Sequence, residues 1–300
     1  MVSIAYSSRY KYELPDGHRF PMDKYELLPE QLLYEGTISA GQLFEPSRLS
    51  RDIVLRTHTE SYFYALMHDH LSGKEKRKIG FPVRKELVER GLHIAQGTLT
   101  CALRALHGGI GLNIAGGTHH AYADHGEGFC VFNDFAIAAN QLLFEGLCKQ
   151  ILIVDLDVHQ GNGTARIFEG RSQVFTFSMH GAKNYPAKKE KSDLDIALND
   201  RTGDHLYLDI LDSVIPKLIK EVKPDIIFYL AGADVLESDA LGRLSLSKAG
   251  TKQRDRIILE NCIKHDIPVA VCMGGGYSPK IRDVVDVHAN TFRVAVNLYT

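Results

Sequence analysis

The stretch ILIVDLDVHQGNG, Ile151 to Gly163, decides the fold. Ile151, Leu152, Ile153 and Val154 form a short apolar run rich in β-branched residues, the pattern of a central parallel strand covered on both faces. The chemistry then changes abruptly. Side chains alternate faces in an extended chain, so Asp155, Asp157 and His159 are expected on one side and Leu156 and Val158 on the other. Two carboxylates and an imidazole at the end of a buried strand repel one another and lose hydration unless a cation sits among them. A divalent metal is the simplest remedy; the competing reading is an Asp–His hydrogen-bonded pair in a turn. Gln160 to Gly163 read as a tight turn into a helix beginning near Thr164, which puts the cluster where open α/β sheets bind ligands.

Working outward, strand and helix patterns alternate along the chain. Val2 to Tyr6, Gly111 to Ala115, Val174 to Ser178, Asp225 to Leu230 and Pro268 to Cys272 read as further strands. Helical spacing runs over Thr59 to Leu71, Arg84 to Leu106, Phe132 to Phe144, His205 to Val222, Lys248 to His265 and Pro279 to Leu298. A long aromatic-rich loop follows the first strand and ends in a short helix near Pro29 to Tyr34; loops of that length inside a compact domain are usually functional. Gly73 to Gly80 reads as a charged loop, with Lys74 to Lys78 as solvated loop charges, and the chain from His180 to Asp200 as an irregular surface loop. The alternation predicts an α/β fold: one domain over residues 1–300, with a parallel sheet sandwiched by helices and no composition break.

Composition bounds the function. Three hundred residues with 44% hydrophobic and 24% charged content describe an enzyme-sized globular chain, and a formal net charge of -2 gives no electrostatic footprint for nucleic acid. The sequence has neither a signal-peptide pattern nor 18 consecutive apolar residues, so a cytoplasmic protein without membrane association is expected. Five scattered cysteines without a C-x-x-C pair suggest neither a disulfide framework nor a thiolate zinc site. No G-x-S-x-G, P-loop or H-E-x-x-H occurs, which leaves serine hydrolysis, nucleotide hydrolysis and the common metalloprotease arrangement without support.

Four apolar strands end in polar or glycine-rich turns: Gly116 to His120, Asp155 to His159, Asp234, and Gly274 to Tyr277. In a parallel sheet those ends share one edge, so they meet in one cleft. Asp157, His159 and Asp234 can supply two carboxylate oxygens and one imidazole nitrogen, a three-ligand set that leaves a position open, as catalytic zinc requires. Such ligation also admits Fe(II), Mn(II) or Co(II). His119 and His120 remain to move protons, and Tyr277 offers a hydroxyl on a glycine arm.

With these residues in place, the sequence resembles the histone deacetylase superfamily over nearly its whole length, through GGTHHA, GEGFCVFND, DLDVHQGNGT, AGADVLESDALGRLSLS and GGGY in order. The variants HQGNG and GADVLESDALGRLSLSKAG look most like the class IV enzymes and their bacterial relatives. The resemblance implies an arginase-like fold, Asp157, His159 and Asp234 as zinc ligands, and His119 and His120 as the pair beside the catalytic water. It further implies that Asp155 orients His119 and that Tyr277 binds the substrate carbonyl. A structural potassium ion at Asp155, Asp157, His159, Ser178 and Met179 is implied as well, held largely by backbone carbonyls. Gly128 and Phe129 would line an acyl-lysine tunnel, with Tyr185 opposite, Gly275 beside it and Leu241 at the rim.

Two departures from the family pattern stand out. Asn162 occupies the position where many class I relatives carry an aspartate, and a neutral amide stabilises a protonated His120 less than a carboxylate does. Leu241 stands where polyamine deacetylases of the superfamily carry a glutamate that selects cationic substrates. The implied activity is hydrolysis of an acyl-lysine amide in a protein or peptide. Acetylpolyamine hydrolysis, a binuclear manganese ureohydrolase and a non-catalytic acyl-lysine-binding module are the alternatives. The sequence leaves open the acyl chain, the oligomeric state and which histidine is the base.

Overall fold

A computed structural model describes residues 2–300. The chain forms β1 (Val2–Ala5), α1 (Lys24–Tyr34), β2 (Leu43–Phe44), α2 (Arg51–Val54), α3 (Glu60–Met67), α4 (Gly73–Ile79) and α5 (Lys85–Leu106). It continues through β3 (Ile110–Asn113), α6 (Asp134–Phe144), β4 (Ile151–Asp155), α7 (Asn162–Phe168), β5 (Val174–Gly181) and β6 (Leu194–Leu198). It closes with α8 (Asp204–Val222), β7 (Ile226–Leu230), α9 (Lys248–Lys264), β8 (Val269–Cys272) and α10 (Ile281–Tyr299).

The strands make one eight-stranded sheet in the order β2-β1-β3-β8-β7-β4-β5-β6, every pair parallel. Every residue of β3, β4, β7 and β8 is buried, which explains why those strands read as unbroken apolar runs rather than alternating ones. Helix α5 lays Leu87, Leu92, Ala95, Leu99 and Ala102 into the core, and α10 does the same with Val284, Val285, Val287 and Phe292. No helix among the described residues is long and apolar enough to cross a membrane.

Three expectations are corrected. Gly73 to Gly80 is a helix, because Ser72 and Glu75 form a reciprocal capping box at its start and Gly80, at φ 80°, closes it in the left-handed conformation. The helix near Pro29 begins five residues earlier, at Lys24, with the proline inside it. The stretch from His180 to Asp200 is not wholly irregular: it contains β6, a short edge strand with an alternating exposed pattern.

One buried ion pair ties this framework to the sheet edge. Arg254, in α9 and fully buried, donates to the carboxylate of Asp255 and also through Nη1 to the backbone oxygens of Gly232 (2.6 Å) and Leu156 (3.4 Å). Asp255 is completed by the hydroxyls of Tyr229 at 2.5 Å and Thr291 at 2.7 Å. The guanidinium therefore clamps the turns after β4 and β7, next to Asp157 and Asp234. Arg254→Leu should leave Asp255 buried without its counter-charge and lower unfolding free energy by about 3–5 kcal/mol. Urea denaturation checks this; a loss within error of zero would show that the clamp does not hold the two turns.

Candidate active site

The carboxyl ends of β3, β4, β7 and β8 bring the expected residues together. Oxygens of Asp157 and Asp234 and a nitrogen of His159 lie within 4.8 Å of one another, all three residues buried. His159 Nδ1 is 3.0 Å from Asp157 Oδ1 and 3.2 Å from Asp234 Oδ2. Strand β4 ends at Asp155, so strict alternation does not continue through the turn. Asp155 instead faces His119, Oδ2 to Nδ1 at 2.7 Å, and stands apart from the three-residue cluster.

The donor set fits a divalent cation. Burial and the neighbouring Asp157 charge push the Asp234 carboxyl up to about 7, so two carboxylates here resist being ionised together without a positive charge between them. Burial alone would lower His159, but Asp157 and Asp234 outweigh it and push the imidazole up to about 10. Backbone donors share the load: Gly275 N–H binds Asp157 Oδ2 at 2.8 Å and Val158 N–H binds Asp234 Oδ1 at 2.9 Å. Only glycine fits at 275, since a Cβ there would stand 1.9 Å from Asp234 Oδ2.

The two adjacent histidines have opposite partners. For His119 burial works downward, but the charges of Asp155 and Asp157 prevail and push it up to about 9. Burial holds His120 well below its ordinary value, and the charges of His119 and His159 reinforce this. His120 Nδ1 lies 2.6 Å from Asn162 Oδ1, while Asn162 Nδ2 donates to Glu127 Oε1 at 2.7 Å and to the Tyr122 hydroxyl at 3.0 Å. The amide must therefore offer its oxygen to His120, which makes Nδ1 the donor and leaves Nε2 with the lone pair. Glu127 also accepts from the Tyr185 hydroxyl at 2.6 Å.

Above the cluster, an inner cavity lined by Phe20, Phe129, Gly275 and Tyr277 adjoins an outer one of about 300 Å³ that opens to solvent. Both are lined by His120, Gly128, Phe129, His159 and Tyr277. Gly128 and Phe129 both have positive φ, at 57° and 68°, a costly geometry for phenylalanine that turns its ring onto the passage. The Phe129 ring is 5.3 Å from Phe20 and 6.0 Å from Tyr277, and Tyr185 meets His120 edge-on at 4.9 Å. Leu241 lies at the outer rim, and Gly275 lies at the floor rather than along the walls. Ser178 pairs in register with Asp155 across β4 and β5, with Met179 buried beside it.

Sequence reading missed Phe20, Lys24, Glu127 and Tyr122. Lys24 reaches from α1 to donate to the Gly274 oxygen at 2.8 Å, holding the glycine turn before Tyr277. The signals were present: Phe20 and Lys24 sit at the end of the long aromatic loop, and Glu127 lies inside the GEGFC motif.

The comparisons with known proteins show the family and the fold. A histone deacetylase domain model matches residues 18–292. The chain belongs to the histone deacetylase family. It is 42% identical over 296 residues to an uncharacterized protein of Picosynechococcus sp., covering 99% of both chains. It is 27% identical to histone deacetylase 2 of Arabidopsis thaliana over 92% of this chain and 74% of that one. It is 29% identical to the acetoin utilization protein AcuC of Staphylococcus aureus over 81% of this chain and 68% of that one. The fold matches a crystal structure of a histone deacetylase homologue complexed with SAHA at a TM-score of 0.86 and 23% identity, covering 99% and 84% of the two chains.

The network explains the amide at 162. Asn162→Asp would set a second carboxylate against Glu127, so one of the two should take a raised pKa in the folded state. A folded-state pKa above the unfolded value of about 4 means that stability is lost as pH rises past it. Against the parent chain, Asn162→Asp should therefore be progressively less stable from about pH 4 upward, and Glu127→Gln in the same chain should relieve the loss. Thermal unfolding from pH 4 to 8 checks it; a deficit that ignores pH, or that Glu127→Gln leaves in place, would break the link between Asn162 and Glu127.

Proposed function

We propose that this chain is a metal-dependent deacylase that hydrolyses the side-chain amide of acyl-lysine in proteins or peptides. The observation that carries the reading is the buried Asp157–His159–Asp234 cluster at the floor of an aromatic-walled passage, with His119, His120 and Tyr277 beside it. Family membership supports deacetylase chemistry, and the name of the relative from Arabidopsis thaliana, histone deacetylase 2, is consistent with it. Asp157, His159 and Asp234 would hold zinc, the metal favoured here over iron, manganese or cobalt. When bound, the ion supplies a Lewis acid for the amide carbonyl and makes a water molecule acidic enough to attack near neutral pH. A potassium ion at the β4 and β5 ends, near Asp155, Asp157, His159, Ser178 and Met179, would offset part of the local negative charge.

The remaining steps belong to the chain's own groups. His120, with Nδ1 committed to the neutral Asn162 oxygen, keeps a free lone pair on Nε2 and takes the proton from water. His119, backed by the Asp155 carboxylate, holds its own proton as imidazolium and delivers it to the leaving lysine amine. Burial and the Asp157 and Asp234 charges hold the Tyr277 hydroxyl well above its ordinary pKa, so it stays protonated and donates to the developing oxyanion. Phe20 and Phe129 exclude water from the acyl-lysine stem.

Asp234→Asn should remove tightly bound metal and activity together, read by elemental analysis and by turnover of acetyl-, propionyl- and long-chain acyl-lysine peptides beside acetylated polyamines. Full activity in a chelator-stripped sample, or two manganese equivalents per chain, would overturn the proposal. Tyr277→Phe keeps the ring, so metal content and folding should hold, KM should change little, and kcat should fall about 100- to 1000-fold. A near-normal kcat towards the best peptide would take the hydroxyl out of the mechanism.

A further inference from the structure

The outer cavity carries Arg19, Arg77, Lys78, Lys183 and Arg243 in its lining, and among the described residues no carboxylate side chain joins them there. All five are exposed. Asp200 serves both Lys183, at 3.6 Å, and Arg243, at 3.3 Å. Lys78 stands 3.9 Å from Glu127 Oε2, but Oε1 of that carboxylate is already bound by Asn162 and Tyr185. Among the described residues Arg19 and Arg77 have no ion-pair partner, and Arg19 lies over the face of Phe129, 5.2 Å from the ring centre. The whole chain is slightly acidic, at a formal net charge of -2, so five cations in one lining run against its overall balance.

Resting on the reading of the site as an acyl-lysine hydrolase, we propose that this mouth selects acyl-lysine peptides whose residues flanking the lysine are acidic. A peptide with its lysine stem in the passage must lay its backbone across the opening. Flanking carboxylates then fall within about 8 Å of the rim cations, the screening length at physiological salt. Lysine-rich flanks meet like charge. An acetylated polyamine meets it too, since its free ammonium groups remain at the mouth when the acyl end reaches the floor, and Leu241 supplies no carboxylate to hold them. The cations come from four separate segments, at residues 19, 77–78, 183 and 243, that share the lining of one opening, which fits a peptide crossing that opening better than a long nucleic-acid backbone.

The test uses the metal-loaded protein and acetyl-lysine peptides with neutral, Asp/Glu or Lys/Arg flanks, beside N-acetylspermidine, at low and high NaCl. The expected order of kcat/KM is acidic, neutral, basic, with about ten-fold or more between the extremes at low salt, carried by KM and shrinking as salt rises. Arg77→Gln with Lys183→Gln should leave the neutral peptide unchanged and cut the acidic preference to about three-fold or less. Fluorescent versions of the peptides, read by anisotropy, separate the two readings. Tighter binding of the acidic peptide without turnover supports the mouth and defeats the hydrolase; turnover without ranking defeats the mouth alone. N-acetylspermidine as the better substrate, a ranking insensitive to salt, or duplex DNA suppressing all three peptides alike would also overturn it.

Discussion

Three carboxylates buried at one edge of a parallel sheet are the constraint on which the rest of the structure depends. Asp155, Asp157 and Asp234 are each at most 4% exposed, and burying ionised carboxylates without compensation costs several kcal/mol apiece. Each has its own remedy. Asp155 is matched by the His119 imidazole, Asp157 by a backbone donor from the β8 turn, and Asp234 by one from the β4 turn. What remains between Asp157 and Asp234 is a repulsion that a divalent cation would remove, and so the unsatisfied part of the electrostatics coincides with the proposed metal position.

Holding carboxylates that close requires backbone to approach backbone, which is why the surrounding turns are glycine-rich and why a buried arginine is tolerated. Arg254 sits beneath the edge with its own acid, so its net charge is spent locally while its remaining donor fixes two carbonyls of the ligand-bearing turns. Lys24 performs the same service from α1, on the turn before Tyr277. These cations share a geometry: each donates to main-chain oxygen, not to Asp157 or Asp234. The negative potential of the floor is thereby left for the proposed cation.

Much of this was legible in the sequence because strand ends are local features. An apolar run that stops at an acid, or at a run of glycines, marks the same sheet edge each time it recurs, and four recurrences define a cleft without any knowledge of strand order. Helix α4 escaped because its seven residues carry five charges and no apolar stripe; only the Ser72 and Glu75 pair betrays it. Strand β6 escaped because a short edge strand alternates weakly amid polar neighbours. Phe20 and Lys24 were marked only by the aromatic loop that carries them, and Arg254 by nothing local, since each acts on residues far away in sequence, such as Gly274 for Lys24, and no local pattern records that pairing.

His119 and His120 make the same point at the scale of one peptide bond. Adjacent in sequence and 4.1 Å apart between ring centres, they cannot both be imidazolium in a buried site without repelling each other. The fold breaks the symmetry through what each Nδ1 meets: a carboxylate from β4 for one, an amide from the start of α7 for the other. Substituting a carboxylate for that amide would seem to strengthen His120 as a base, yet Glu127 already occupies the far side of Asn162. The amide is the group that can accept from a histidine and donate to a glutamate at once, so the choice at 162 follows from the glutamate at 127. The acid and base roles proposed for the pair thus trace back to a residue that touches neither histidine ring through a hydrogen bond.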